Sequence, residues 1–585
     1  MSHSAPQRQK KWWKEAVVYE IYPASFKDSN DDGIGDIPGI ISKLDYLRDL
    51  GVDVIWVAPH YKSPQVDMGY DISDFEDIHE PYGSLEDCQR LIEEVHLRNM
   101  AIIFDLVINH TSDQHPWFQQ SRSSKNRIDN PKRDWYIWRP PKYDDAGNRH
   151  PPNNWRSQFT KPAWSWDEKT QEYYLHIYVE GQPDLNWENQ ECRQAIYDSA
   201  IRFWLDRGVD GFRIDTVNKY SKVKGLPDAE ISEPGESTQM AHGLYTNGPR
   251  IHEYLKEMNR VFAEYGEILT VGELPNTPDR KEVLRYISEE SQELQMVFNF
   301  DTVYLGTNPG NRFVQVPFDN SDFKRELTKW QTVVNDGEAW TTVFLENHDQ
   351  GRSVSRFADD SPASRDAAAK MLSIVLCSLS GTLFLYQGQE IGMINAPPTW
   401  PIDAYKCVRS TNYANDIRER TQNDPKALRE VQRALQRVAR DHARVPMQWD
   451  GGANAGFCSG RATPWMSVLE CYKEINVADQ ALQKDSVLNF WRQMLSLRKQ
   501  HLDLFVYGHF RLIDQPPDIM TFTKQDPGTG RTLITVANLS KEPASWELPV
   551  EFQLDQFELI ASNRTGRDSE LGPFEARIYT SSKSD

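Results

Sequence analysis

Eight short apolar runs, set apart by stretches of helical periodicity, limit this chain to a small number of folds. The runs lie at 17–22 (VVYEIY), 54–57, 101–108, just before Asp215, and at 268–271, 296–300, 342–345 and 383–386. Helix-like segments at 40–50, 85–98, 193–206 and 251–264 alternate with them. Runs that are apolar on both faces read as parallel strands covered by helices on both sides. Eight of them favour an α/β architecture, a closed (β/α)8 TIM barrel with its site at the C-terminal strand ends. An open doubly wound sheet is the alternative, but no Gly-rich phosphate loop follows any of the runs.

One interval breaks the rhythm. The stretch between Asp105 and Asp215 is several times longer than a regular unit, which takes roughly 30 residues, about 250 over eight. Its excess is rich in Trp, Pro and Asn (HPWF, DWYIW, PPNNWRS) and reads as an inserted lobe. A second irregular stretch, 395–485, carries a charged helical segment and then a Gly/Ala/Asn loop. The alternating segments 510–513, 519–524, 532–538 and 576–579 read as a small β domain. The expected division is a barrel at 1–110 and 187–505, an inserted domain at 111–186 and a C-terminal antiparallel β-sandwich at 506–585. A chain of 585 residues is too long for a single core.

The net charge of −20 argues against nucleic acid or an anionic membrane as partner and leaves a neutral small molecule as the better fit. The 18 Trp, 24 Tyr and 24 Phe suit stacking on flat sugar faces. Six scattered cysteines form neither a zinc pattern nor a compact disulfide framework. The opening MSHSAPQRQKKWWKEAVVYE has no apolar core of signal-peptide length, and the apolar stretch near 371–386 is too short and interrupted to span a bilayer. These features lead to the expectation of a cytoplasmic protein, monomeric by default.

The chemistry concentrates where the runs end. In Gly211-Phe212-Arg213-Ile214-Asp215, alternate residues share a face, so Arg213 and Asp215 point into one cavity while Phe212 and Ile214 pack outward. The guanidinium is expected to keep Asp215 ionised. Asp105-Leu106-Val107-Ile108-Asn109-His110, Gly272-Glu273 and Glu346-Asn347-His348-Asp349 close three further runs. Each cluster alone is compatible with a structural cap, but four at the same end of one barrel converge on one cavity. Glu273 follows an apolar run with no basic neighbour in sequence, so burial is expected to raise its pKa.

These residues resemble the alpha-amylase superfamily, glycoside hydrolase family 13, over nearly the whole chain. DLVINH, GFRIDTVNK, GELP and FLENHDQ are similar to its four ordered regions. QPDLNW (182–187), MGYD (68–71) and RVPMQW (444–449) match the oligo-1,6-glucosidase and maltase branch. The resemblance implies a retaining, exo-acting alpha-glucosidase with Asp215 as nucleophile, Glu273 as general acid/base and Asp349 as third carboxylate. It also implies a pocket for the non-reducing glucose lined by Asp67, Tyr70, His110, Arg213, His348 and Arg444. Phe159 and Tyr178 match aromatic positions near the entrance, and core of the lobe is their other reading. In this branch the residue after the nucleophile bears on linkage, and Thr216 suggests alpha-1,4 substrates such as maltose and malto-oligosaccharides. Isomaltase, sucrose-active hydrolase and glucosyl transferase or isomerase are the alternatives within the family. A non-catalytic sugar sensor or transporter heavy chain is the alternative outside enzymology. Leu274-Pro275-Asn276 departs from the His or Ala that the family often carries after its acid, which bears on the leaving-sugar site.

Asp28, Asn30, Asp32 and Asp36 place oxygen ligands at short spacing around Gly33 and Gly35, as in a calcium loop without the closing glutamate of an EF-hand. A solvated Asx-rich turn would read the same way. The resemblance implies a structural Ca2+ there, or Mg2+, with the Ile34 carbonyl as a further ligand.

Overall fold

The computed structural model describes residues 9–159, 161–565 and 570–581; the first eight residues of the opening segment lie outside them. Eight parallel strands form the central sheet: β1 Val17–Ile21, β2 Val54–Val57, β3 Ala101–Leu106, β4 Gly211–Ile214, β5 Leu269–Leu274, β6 Met296–Asn299, β7 Thr342–Val343 and β8 Thr382–Tyr386. Their order in the sheet is β6-β5-β4-β3-β2-β1-β8-β7, so each strand lies beside its neighbour in sequence. The barrel closes between β6 and β7, where Thr342 Oγ1 donates to the Val297 carbonyl at 3.0 Å.

The two faces of these strands build two separate cores. Val18, Val54, Trp56, Ile103, Val271, Phe298 and Phe384 fill the interior of the barrel. Val17, Tyr19, Ile55, Ile102, Phe212 and Ile214 face outward against helices such as Leu85–His96 and Ile251–Ala263. Phe212 and Ile214 thus pack outward as alternation requires, leaving Arg213 to the interior.

Several elements differ from the sequence reading. The segment expected as one helix at 40–50 is two, Ile37–Ile41 and Leu44–Leu50, with Pro38 in the first turn of the former. The segment at 193–206 is helical throughout but passes through a π-helical stretch, Tyr197–Arg202. β5 runs on to Leu274, so Glu273 lies within a strand rather than beyond one.

After β3 the chain leaves the barrel and builds a three-stranded antiparallel sheet from Trp138–Arg139, Trp164–Asp167 and Glu172–Leu175. Trp155, Trp164, Leu175 and Ile177 form its core together with Leu226, Ala229 and Tyr245 from the long connection after β4. At the C-terminus β9 His509–Ile513, β10 Ile519–Gln525, β11 Thr532–Asn538, β12 Phe557–Ser562 and β13 Ala576–Ser581 form an antiparallel sheet in the order β9-β10-β11-β13-β12. One face packs into the main core through Phe522, Leu533 and Ile578. The other is covered by Trp546 and Leu571, next to the short pair Ala544–Ser545 and Glu570–Leu571. No helix among the described residues is long and apolar enough to cross a membrane.

Candidate active site

Parallel register brings three carboxylates to one guanidinium. β4 pairs with β3 so that Arg213 is opposite Asp105, and with β5 so that Ile214 is opposite Gly272. The buried Arg213 donates through Nη1 to Asp215 Oδ1 at 2.7 Å and Asp105 Oδ1 at 2.8 Å, and its Nη2 lies 3.1 Å from Glu273 Oε2. Glu273 has no basic neighbour in sequence, but the fold brings Arg213 to it, and burial still raises its pKa as expected. A cross-strand partner is invisible in the sequence next to Glu273.

Thr216 turns the chain immediately after Asp215. Its φ of 41° is unusual for a β-branched residue and marks a strained turn. The turn aims the Thr216 N–H at Glu273 Oε2 (3.1 Å) and its hydroxyl at Asp215 Oδ2 (3.2 Å). Asp215 and Glu273 are close enough for a hydrogen bond between their side chains.

Burial pushes the Glu273 carboxyl up to about 7; Arg213 opposes the shift, and the charges of Asp215 and Asp349 add to it. Burial also raises Asp215 above its ordinary value against the pull of Arg213, because that guanidinium is shared with Asp105 and Glu273. Arg213 and burial thus act on Asp215 in opposite directions. Of the three carboxylates Glu273 has the longest contact with Arg213, 3.1 Å against 2.7 Å for Asp215 and 2.8 Å for Asp105.

Asp349 stands in the opposite situation. Burial by itself would raise its pKa, but Arg440 and Arg444 hold it well below the carboxylate range. Arg440 grips it with a two-pronged contact, Nε to Oδ1 at 2.6 Å and Nη2 to Oδ2 at 2.5 Å, and Arg444 Nη2 adds a third at 2.9 Å. His348 Nε2 is 3.3 Å from Asp349 Oδ1 and 2.6 Å from the Tyr70 hydroxyl, and its Nδ1 is 2.5 Å from Glu20 Oε1. Burial depresses the His348 pKa well below its usual value and keeps the ring neutral.

The remaining pocket residues join this network. Asp67 lies 3.4 Å from Arg440 Nη1 and accepts from Gln182 Nε2 at 3.3 Å, while Gln182 also meets His110 Nε2 at 3.1 Å. The Tyr70 hydroxyl donates to Asp105 Oδ2 at 3.1 Å. Phe159 and Tyr178 sit with ring centroids 5.7 Å apart; Tyr178 is 5.2 Å from the His110 ring and the Arg440 guanidinium is 5.7 Å from the Phe159 ring. Both aromatics therefore stand against pocket residues. Sequence reasoning did not single out Arg440, Asp105, Gln182 or Glu20. Two signals were available: Asp105 and Gln182 lie inside quoted motifs, and Arg440 caps the short helix Asp441–Arg444 that carries Arg444.

The acidic loop at 28–36 lies apart from this cavity, held by Ser459 N donating to Asp31 Oδ1 at 2.8 Å. Asp28 accepts from Asn30 N, Asp31 N and Gly33 N, Asp32 from Ile34 N, and Asp36 from Ser29 N and Gly39 N. Three carboxylates and one amide oxygen are a donor set suited to a hard cation. Among the described residues, however, no three His, Cys, Asp or Glu side chains converge as on a metal ion.

The family profile for the alpha-amylase catalytic domain matches residues 20–508. The chain is 49% identical to an alpha-glucosidase of Candida albicans, over 97% of this chain and 99% of the relative. It is 47% identical to the oligo-1,6-glucosidase IMA3 of Saccharomyces cerevisiae, over 99% and 100%. Among solved structures, isomaltulose synthase from Erwinia rhapontici NX5 superposes with a TM-score of 0.90 at 39% identity, covering 98% of this chain and 100% of that one.

Proposed function

Because the chain belongs to the alpha-amylase family and is an alpha-glucosidase of that family, we propose that it releases single alpha-glucose units from the non-reducing ends of maltose and short alpha-glucosides, with retention. The observation that carries this reading is the contact between Asp215 and Glu273. Retaining hydrolysis takes two carboxyl groups about 5–5.5 Å apart, whereas an inverting pair stands about 6.5–9.5 Å apart to admit water, and a pair in contact falls on the retaining side. Asp215 attacks the anomeric carbon while Glu273, still protonated near neutral pH, gives its proton to the leaving oxygen. In the second half Glu273 takes a proton from water, which attacks the anomeric carbon and frees Asp215.

Asp349, fixed and ionised by Arg440 and Arg444, binds sugar hydroxyls and favours the distorted ring that approaches the oxocarbenium state. Cleavage from chain ends is supported by the likeness to alpha-glucosidases. Thr216 at the wall beside both carboxylates supports a preference for alpha-1,4 linkages, with isomaltase activity and transglucosylation as the readings next in line. The loop at 28–36 is proposed to take Ca2+ or Mg2+ in a structural role through Asp28, Asn30, Asp32, Asp36 and the Ile34 carbonyl. The six cysteines are all unpaired, and we place the protein, as a monomer, in a reducing intracellular setting.

The test is glucose release from maltose, isomaltose and sucrose by the wild type and Asp215→Asn, with the first product's anomer followed by NMR. Turnover of maltose to alpha-glucose, lost in the variant, is expected. Beta-glucose as first product, or undiminished activity in Asp215→Asn, overturns the mechanism.

A further inference from the structure

The turn after Asp215 carries a buried cation that is paired with none of the three catalytic carboxylates. Thr216 opens the turn with its left-handed φ, and the Lys219 N–H closes it on the Thr216 carbonyl at 3.0 Å. The Val217 N–H donates to the Glu273 carbonyl at 3.0 Å, and Asn218 Nδ2 donates to the Pro275 carbonyl at 2.7 Å and to Thr277 Oγ1 at 3.0 Å. The turn is thus clamped to the strand that carries Glu273 and to the residues just after it. Lys219 is only 2% exposed. Its ammonium makes no hydrogen bond or ion pair among the described residues and stands over the rings of Tyr178 and Tyr245, 5.4 and 5.5 Å from their centroids. The neighbouring buried cations Arg213, Arg440, Arg444 and Lys222 all have carboxylate partners. An unpaired buried charge costs stability, and ring faces offset only part of that cost. The ammonium is not sealed in, since it is not among the fully enclosed polar atoms that lack a partner. Burial, the largest influence, lowers its pKa to about 8; Glu273, Asp215 and Asp184 act the other way and Arg409 adds to the fall, so the group keeps its charge at neutral pH.

We propose that Lys219 selects the leaving sugar, its ammonium donating to a hydroxyl of the glucose that departs. This rests on the glucosidase reading. Glu273 must touch the glycosidic oxygen to protonate it, so the departing ring lies on the Glu273 side of the pocket, against the turn that begins at Thr216. Tyr178 bounds the same space, with Thr216 and both members of the catalytic pair acting on its hydroxyl and Phe159 5.7 Å from its ring. A lysine reaches into such a space on a flexible four-carbon stem with three donors, and the sugar supplies the acceptor that the protein withholds. When a sugar replaces water in the second half, its hydroxyl attacks the anomeric carbon, gives its proton to Glu273 and frees Asp215. Lys219 then holds that acceptor in the place of the departed one.

The experiment compares the wild type, Lys219→Met and Lys219→Gln on maltose and on 4-nitrophenyl alpha-glucoside, whose leaving group has no sugar hydroxyls. Wild-type turnover of both substrates tests the glucosidase reading separately; without it that reading falls, and the role of Lys219 with it. In Lys219→Met, kcat/KM on maltose should fall about ten- to a hundredfold further than on the aryl glucoside, the loss of one charge-assisted hydrogen bond. Lys219→Gln keeps a donor and should recover part of that difference. With the aryl glucoside as donor and added glucose as acceptor, the ratio of transfer to hydrolysis should fall by a similar factor in Lys219→Met. Its melting temperature should equal or exceed that of the wild type, because the unpaired charge is gone. Equal losses on the two substrates, or a transfer ratio that Lys219→Met leaves unchanged, overturn the proposal. A lowered melting temperature with parallel losses on both substrates does so too, and makes Lys219 a packing residue.

Discussion

Replacing Arg440 with Met keeps the length of the side chain and removes two of the three guanidinium contacts on Asp349, those at 2.6 and 2.5 Å. Hydrogen bonds to a charged group are worth about 1.5–3 kcal/mol each, and breaking a buried ion pair costs about 3–5 kcal/mol. Arg444 remains at 2.9 Å and offsets part of that loss, so about 3–4 kcal/mol is the reasoned figure. At about 1.4 kcal/mol per decade it corresponds to a fall in kcat/KM of roughly 10²–10³-fold. The loss carries a signature that a packing defect lacks. Arg440 is the largest influence holding Asp349 below the carboxylate range; without it the Asp349 pKa rises, and the acid limb of the pH–rate profile moves to higher pH. The assay is kcat/KM on a 4-nitrophenyl alpha-glucoside across the pH range, beside a thermal melt. Arg440→Lys restores a charge but not the fork and should recover only part of the activity. A loss below about fivefold with an unmoved acid limb would refute the reasoning, since it would mean that Arg444 alone fixes Asp349.

The basic limb of the wild-type kcat/KM profile should fall at about 7, where Glu273 loses the proton that it must donate; Glu273→Gln should be inactive on both sides of that value, and a limb that persists in a slow Gln variant would assign it to another group. Thr216→Val should lower the ratio of maltose to isomaltose kcat/KM by roughly 10–100-fold, the about 1–3 kcal/mol that one side chain at a subsite wall supplies; an unchanged ratio would remove Thr216 from linkage choice. With Ca2+ at about 100 times its Kd the loop at 28–36 should add about 2.7 kcal/mol of stability. Chelation should therefore lower the melting temperature of the wild type and leave Asp28→Ala unaffected, while coincident wild-type melts with and without chelator would count against a bound ion.

What could be read from the sequence follows from how far apart the cooperating residues lie in it. The barrel was legible because each buried strand is a local apolar run, and β2 appears at the bounds expected. Arg213 and Asp215 were legible as one unit because two-residue alternation in a single strand puts them on one face. The same logic stops at the strand edge. Glu273 sits 3.1 Å from Arg213 and Asp105 2.8 Å from it only because β3, β4 and β5 are in parallel register, and register is fixed by the closing of the whole sheet. That missing information changes the chemistry. A lone exposed Arg213–Asp215 pair would depress the Asp215 pKa, whereas in the fold burial outweighs a guanidinium divided among three carboxylates, and burial is what keeps the proton on Glu273. Asp349 escapes the shortage because Arg440 and Arg444 reach it from within the irregular stretch after β8. The division of roles between an acid that stays protonated and a carboxylate that stays charged thus follows from burial that acts on both and from the two guanidinium groups that outweigh it at Asp349 alone.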